Sequence, residues 1–212
     1  MSIARIVLTV FAGLIWFLPV QALAGAPTDQ IKGAIDQVIG TIEDPALKQP
    51  SMAEERRAAI RKQAEGLFDF TETAKRALGR HWPELSDVQQ REFASLFTEL
   101  LERSYINRIE QYGGERIVYA GDSIEGDTAT VRTKFITKQG AEMPVDYRLL
   151  RRGDRWLAYD VFVEGISLVS NYRTQFDRIM RTASYSELVR RMRANQAEFG
   201  APGAPPARPP RS

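Results

Sequence analysis

Cysteine is absent from the chain, and histidine occurs once, at position 81. The first absence removes disulfides, thiol nucleophiles, thiolate metal sites and any lipid-modified cysteine anchor. A strong excess of one charge is also missing. The 29 basic residues face 27 acidic ones, which argues against nucleic acid, a partner that requires a basic face. There is no Walker loop, no Gly-x-Gly-x-x-Gly and no His-Glu-x-x-His. The apolar run that opens the chain, Ile6 to Leu18, is shorter than the roughly 20 residues of a membrane-spanning helix.

That opening run reads as an export signal. Arg5 precedes it, Pro19 ends it, and Ala22-Leu23-Ala24 supplies small residues at the −3 and −1 positions of a cleavage site. The expected organisation is a signal peptide over 1–24, one domain over 25–199 and a Pro-rich tail over 200–212. The tail, "APGAPPARPPRS" after Gly200, lacks the apolar surface to order itself.

The domain divides by hydrophobic period. Ile31, Ile35, Val38 and Ile42 mark a helix over 28–47. "SMAE" at 51–54 has the form of a capping box opening a charged helix. "DFTETAKRALGRHW" reads as a short helix stopped at Gly79. "SDVQ" at 86–89 opens the longest helix, and Gly113-Gly114 ends it. The period then changes from 3.6 to 2. Residues 116–120, 127–138, 142–151 and 154–163 read as strands, separated by "GDSIEGD", "KQGAE" and "RRGD". Connections this short permit only antiparallel neighbours. In the last three strands the odd-numbered positions read as the apolar face. After Gly165 the stripe Leu168, Val169, Tyr172, Phe176, Ile179 is helical again, with Ser167 as a plausible cap. Ser184-x-x-Glu187 caps a final helix. The fold class is α+β: a twisted four-stranded antiparallel sheet with helices covering its apolar face.

No catalytic constellation emerges. His81 reads as a surface or capping residue. Ser123 in "GDSIEG" fails the nucleophile-elbow pattern, because position 125 is Glu and the segment reads as a strand–strand turn. Asp146 and Asp160 could pair as acid and base, but they fall on the polar side of their strands, where a solvated or ion-paired carboxylate is the default. Arg173, Arg178, Arg181, Arg190, Arg191 and Arg193 gather late, against Asp177 and Glu187. They suit a solvated helix face, or else anionic lipid or an acidic docking surface. The large apolar residues Phe93, Phe97, Leu100, Leu101 and Tyr105 suit an ordinary core or the lining of a deep cavity.

Four segments, in order, resemble the MlaC family of periplasmic phospholipid-binding proteins, also called the toluene-tolerance auxiliary family. They are "FDFTETAKRALGRHW", "REFASLFTELLERSYINRIEQY", "VDYRLL…GDRWLAYDVFVEGISLVSNYRTQF" and "ELVRRMR". The resemblance spans about residues 30–195 and leaves the Pro-rich tail outside. It implies an apolar pocket between sheet and helices that encloses acyl chains. It also implies a periplasmic carrier working between an outer-membrane lipoprotein–porin complex and an inner-membrane ABC transporter with an MCE-domain protein. No enzymatic activity, metal or cofactor is expected. Face parity combined with the family picture puts Phe97, Leu100, Leu101, Val145, Tyr147, Leu149, Tyr159, Val161, Val163, Ile166, Val169 and Tyr172 in the lipid-binding lining. Arg173 falls near the mouth or in an ion pair with Asp160 or Asp177. The alternatives are a carrier of hopanoid or another apolar lipid, a periplasmic adaptor with a solid core, and an exported hydrolase.

Overall fold

The computed structural model describes residues 27–194 and Phe199. The expected signal peptide and Pro-rich tail lie outside the described residues. Four helices come first: α1 (Pro27–Glu43), α2 (Ala53–Leu67), α3 (Phe70–Leu78) and α4 (Asp87–Glu110). The sheet follows as β1 (Arg116–Glu125), β2 (Thr128–Ile136), β3 (Glu142–Arg152), β4 (Arg155–Val163) and β5 (Ile166–Ser167). Helices α5 (Leu168–Thr182) and α6 (Tyr185–Ala194) close the fold. Among the described residues no helix is long and apolar enough to cross a membrane.

The sheet is an antiparallel meander in chain order. It holds five strands rather than four. Glu164 (φ 50°) and Gly165 (φ 80°) make a two-residue hairpin turn, and Ile166 and Ser167 pair back onto Val163 and Phe162. Two consecutive positive φ values give the turn the hand that suits twisted strands. The predicted strand-to-helix joint at Gly165 is therefore a hairpin. The first strand is also longer than predicted. Gly121 (φ 92°) sits in a bulge between Tyr119 and Asp122, after which pairing resumes to Glu125. Most of "GDSIEGD" is thus strand, and only Gly126-Asp127 turns.

The odd-face expectation holds in β2 and β3, where Val131, Thr133, Val145, Tyr147 and Leu149 are buried. It fails in the first half of β4. Arg148 pairs with Asp160 but Leu149 pairs with Ala158, so Tyr159 is an extra residue. A bulge of one residue inverts the faces of everything before it. Trp156 and Ala158, not Leu157 and Tyr159, therefore lie on the core side.

Helix ends follow local chemistry. Ser86 and Gln89 form the predicted capping box of α4, and Ser184 caps α6 through the Glu187 amide. Ser51 does not cap α2. It sits within a 3-10 turn, Pro50–Met52, and Met52 precedes the helix without a side-chain cap. The Asp122 carboxylate accepts from the Thr28 amide (3.1 Å) and hydroxyl (2.6 Å), which ties the start of α1 to the β1 bulge.

Two large apolar clusters result, beside a small third one of Ile42, Ile60 and Ile106 across α1, α2 and α4. One joins the sheet to Ile31 of α1. The other is formed by α3–α6 around Phe93, Phe97, Tyr172 and Phe176. Two devices link them. Between α2 and α4, Glu110 accepts from Arg56 (2.9 Å) and Arg57 (3.0 and 3.1 Å). Burial pushes the Glu110 carboxyl up, but the two arginines outweigh it and hold it below the ordinary carboxylate range. Between β4 and α5, Asp160 accepts from the Ser167 hydroxyl (2.5 Å) and the Val169 amide (3.1 Å), while Ser167 Oγ accepts from the Ser170 amide (2.9 Å). Burial raises the Asp160 carboxyl above its ordinary range despite these bonds.

Both links can be tested by substitution. Asp160→Ala removes two acceptors at the start of α5 and is expected to cost about 2 kcal/mol in urea unfolding. Because the folded-state value of Asp160 is raised, its contribution to stability is fully present below the ordinary carboxylate range and is lost as pH rises through the folded value. Unfolding curves of Asp160→Asn from acid to neutral pH should therefore gain on wild type as pH rises. Glu110→Gln should behave in the opposite sense. The value of Glu110 is lowered, so its contribution is present above the ordinary range and is lost on acidification. The deficit of this variant should be largest near neutrality and shrink as pH falls.

Candidate functional site

The predicted lining residues divide between the two clusters. Phe97, Leu100, Val169 and Tyr172 are buried in the helical one, with Leu101 at its margin. Val145, Tyr147 and Leu149 are buried in the sheet cluster, with Val161 at its margin. Val163 is half-buried. Ile166, on the short β5 strand, is 53% exposed. Tyr159 is turned by the bulge so that the Arg76 guanidinium lies 4.0 Å from its ring centroid.

The helical wall is an aromatic stack. Phe97 meets Tyr172 edge-on at 5.1 Å and Phe176 at 5.3 Å, and Phe93 meets Phe176 at 5.4 Å. Phe93 and Phe97 on α4, like Tyr172 and Phe176 on α5, stand four residues apart, which brings each pair to one face of its helix. Such edge-to-face pairs add about 1 kcal/mol each beyond burial.

Polar atoms punctuate both clusters. The hydroxyls of Tyr105 on α4, Tyr172 on α5 and Tyr119 on β1 are buried without a hydrogen-bond partner. The Tyr172 hydroxyl is an electrostatic neighbour of those of Ser104 and Tyr105, yet no bond of acceptable geometry joins it to either. Burial is the main cause that raises all three phenols, Tyr119 to about 12. An unpaired buried hydroxyl costs about 1–3 kcal/mol.

Two open clefts of about 560 Å³ each lie elsewhere. One runs between α1 and α2, with Gly33 and Ala34 facing Ala59 and Gly66 and with Trp156 at its end. The other is lined by Glu72, Lys75, Arg76 and Gly79, by Trp82 and Pro83, and by Arg173. Neither includes any of the twelve residues. The basic character of the second cleft was not legible beforehand, because Arg173 on α5 stands 97 positions beyond the Arg76 that it meets on α3. Its Nε donates to the Arg76 carbonyl at 2.7 Å, rather than pairing with Asp160 or Asp177.

The residues weighed for catalysis sit apart. His81 is buried rather than on the surface. Its Nδ1 lies 3.2 Å from Glu84 and its Nε2 3.0 Å from Asp177, which also accepts from Arg80 at 2.6 Å. Contact with His81 holds the Asp177 carboxyl below its usual range, against the opposing effect of burial. Ser123 receives a long bond from Arg132 (3.4 Å). Both oxygens of Asp160 are occupied by the α5 cap, and its cross-strand neighbour is Arg148. Asp146 pairs in register with Arg132 and Phe162.

Comparison with known proteins gives a consistent picture. The fold matches the phospholipid-binding protein from Ralstonia solanacearum, solved in complex with a phospholipid. That match has a TM-score of 0.71 and 24% identity, and covers 82% of this chain and 99% of that one. The intermembrane phospholipid transport system binding protein MlaC of Haemophilus influenzae is 20% identical over 147 residues, covering 67% of this chain and 69% of that protein. Toluene tolerance protein ttg2D of Pseudomonas putida is 31% identical over 94 residues, 44% of each chain. The family model for the MlaC protein matches residues 32–194, and the chain belongs to the MlaC family.

Proposed function

We propose that this protein is a periplasmic phospholipid carrier that encloses acyl chains between its helical and sheet clusters. The observation that carries the reading is the family match over 32–194, with relatives named for phospholipid transport and a fold neighbour solved with phospholipid bound. Lipid passes between an outer-membrane lipoprotein–porin complex and an inner-membrane ABC transporter with an MCE-domain protein. The protein performs no covalent chemistry on its cargo.

Magnitudes explain why such a carrier must enclose its ligand. Each methylene withdrawn from water is worth ~0.8 kcal/mol. Two chains with about 30 methylenes therefore cost on the order of 25 kcal/mol to expose. Release into water is negligible, so cargo passes by direct contact with an acceptor. The acyl chains lie along the seam between the clusters, where Leu101 and Val161 form the margins. The three unpaired tyrosine hydroxyls support a cargo with polar groups among its apolar ones. An ester carbonyl supplies the acceptors they lack, and a hopanoid hydrocarbon skeleton does not.

Organic extraction of the purified protein followed by mass spectrometry tests the reading. A diacyl phospholipid near one per protein is the expected result. Hopanoid in its place supports the other cargo, and no lipid at all overturns the carrier reading. Leu101→Trp and Val161→Trp overfill the margins, which costs about 1–3 kcal/mol. They should lower bound lipid roughly tenfold while leaving far-UV circular dichroism unchanged. Tyr172→Phe separates ligand from scaffold. Removing an unpartnered hydroxyl should leave the lipid-free protein as stable or about 1 kcal/mol more stable, while weakening lipid retention.

A further inference from the structure

The cleft between α3, the Gly79–Glu84 turn and α5 is chemically unlike the apolar seam. Lys75, Arg76 and Arg173 converge on it, and Glu72 is its one carboxylate. Glu72 is already engaged, by Arg76 at 2.8 Å and by Arg152 at 3.5 Å from outside the cleft. The cleft therefore carries an uncompensated positive charge.

Its cations are held in different ways. Arg76 is fixed by Glu72 and by stacking over Tyr159. Arg173 is pinned at Nε by the Arg76 carbonyl near the end of α3, and this bond leaves both terminal nitrogens of the fork available. Gly79 (φ 59°) lies beside it, and a Cβ there would be in ordinary contact with Arg173 Cδ, at 3.5 Å. Lys75 is exposed and forms no hydrogen bond or ion pair among the described residues. Opposite the charges stand Trp82 and Pro83, an apolar wall. A pinned guanidinium, a free ammonium and an aromatic face in one concave site suit a phosphate ester that carries an apolar remainder.

The geometry points to this cleft as a binding site for a phosphate ester, with an anionic phospholipid headgroup as the favoured source. Arg173 and Lys75 bind the phosphate, and Trp82 packs against the glycerol end, the arrangement expected of an aromatic ring at a lipid interface. The inference rests on the carrier reading for the nature of that headgroup. The free anion shares the chemistry, so the test separates the two sources.

Two probes are applied to the full mature chain: flotation with phosphatidylglycerol/phosphatidylcholine vesicles, and equilibrium dialysis against sn-glycerol 3-phosphate. Wild type should float with the anionic vesicles and not with pure phosphatidylcholine, less so as salt screens the attraction. Lys75→Glu should weaken this binding about tenfold, with Lys75→Arg restoring it. Arg173→Gln should weaken it likewise, and the exposed Lys75 position keeps the test valid if loss of Arg173 loosens α3. Binding of both probes, with the same losses, assigns the site to phosphate esters generally. Binding of vesicles alone assigns it to the headgroup. If Lys75→Glu and Arg173→Gln bind both probes as wild type does, or if wild type binds neither, the inference fails. Lipid extracted from the same preparations reports on the carrier reading separately. Co-purified phospholipid with no cleft binding sinks only the cleft.

Discussion

Asp160 sits buried where the last long strand hands the chain to α5, and both of its oxygens are engaged there by Ser167 and Val169. Withdrawing a carboxylate from water is costly, and hydrogen bonds to the charged form offset part of that cost. The result is directional. Only one orientation of α5 satisfies the two bonds, so the helix leaves the sheet at a fixed angle and carries Tyr172 and Phe176 to the aromatic stack on α4. The placement of the helical cluster relative to the sheet depends on this junction at one end and on Glu110 with its two arginines at the other.

The same junction explains why Asp160 cannot serve as a general base. A base needs a lone pair that faces substrate, and here both oxygens are committed to the fold. Polar residues inside an apolar stretch carry two meanings that spacing alone does not separate. In 159–176 they brace the scaffold at Asp160 and Ser167, and at Arg173 they reach out to a neighbouring cleft. The helical cluster and the cleft share this short segment: Tyr172 belongs to one and Arg173 to the other.

The meander, the helix order and the caps at Ser86 and Ser184 were legible in the sequence, because each rests on a period or on a contact three residues long. The bulges were not. Gly121 stands in a turn-rich segment and looks like a loop residue, and nothing local marks Tyr159 as extra, so parity in β4 was misread from that point back to Trp156. The burial of His81 was equally hidden, since Asp177 approaches it from α5. The apolar walls on β2, β3, α4 and α5 were readable from alternation and helical stripes. The basic cleft was not, because it joins residues from α3 and α5, which pack directly together but are separated in sequence by α4 and the whole sheet.

The bulge at Gly121 reaches beyond the placement of α1. The far side of β4 is covered by β5 and by a bridge from Phe68, which leaves β1 as the open margin of the sheet. An uninterrupted margin of that kind is a template on which a second chain can zip, and so a route to fibres. Here the ladder breaks between Tyr119 and Asp122, and a bulge bends the strand and sharpens its local twist, which interrupts such a template. The protein is thereby protected from self-polymerisation along its long β1 margin.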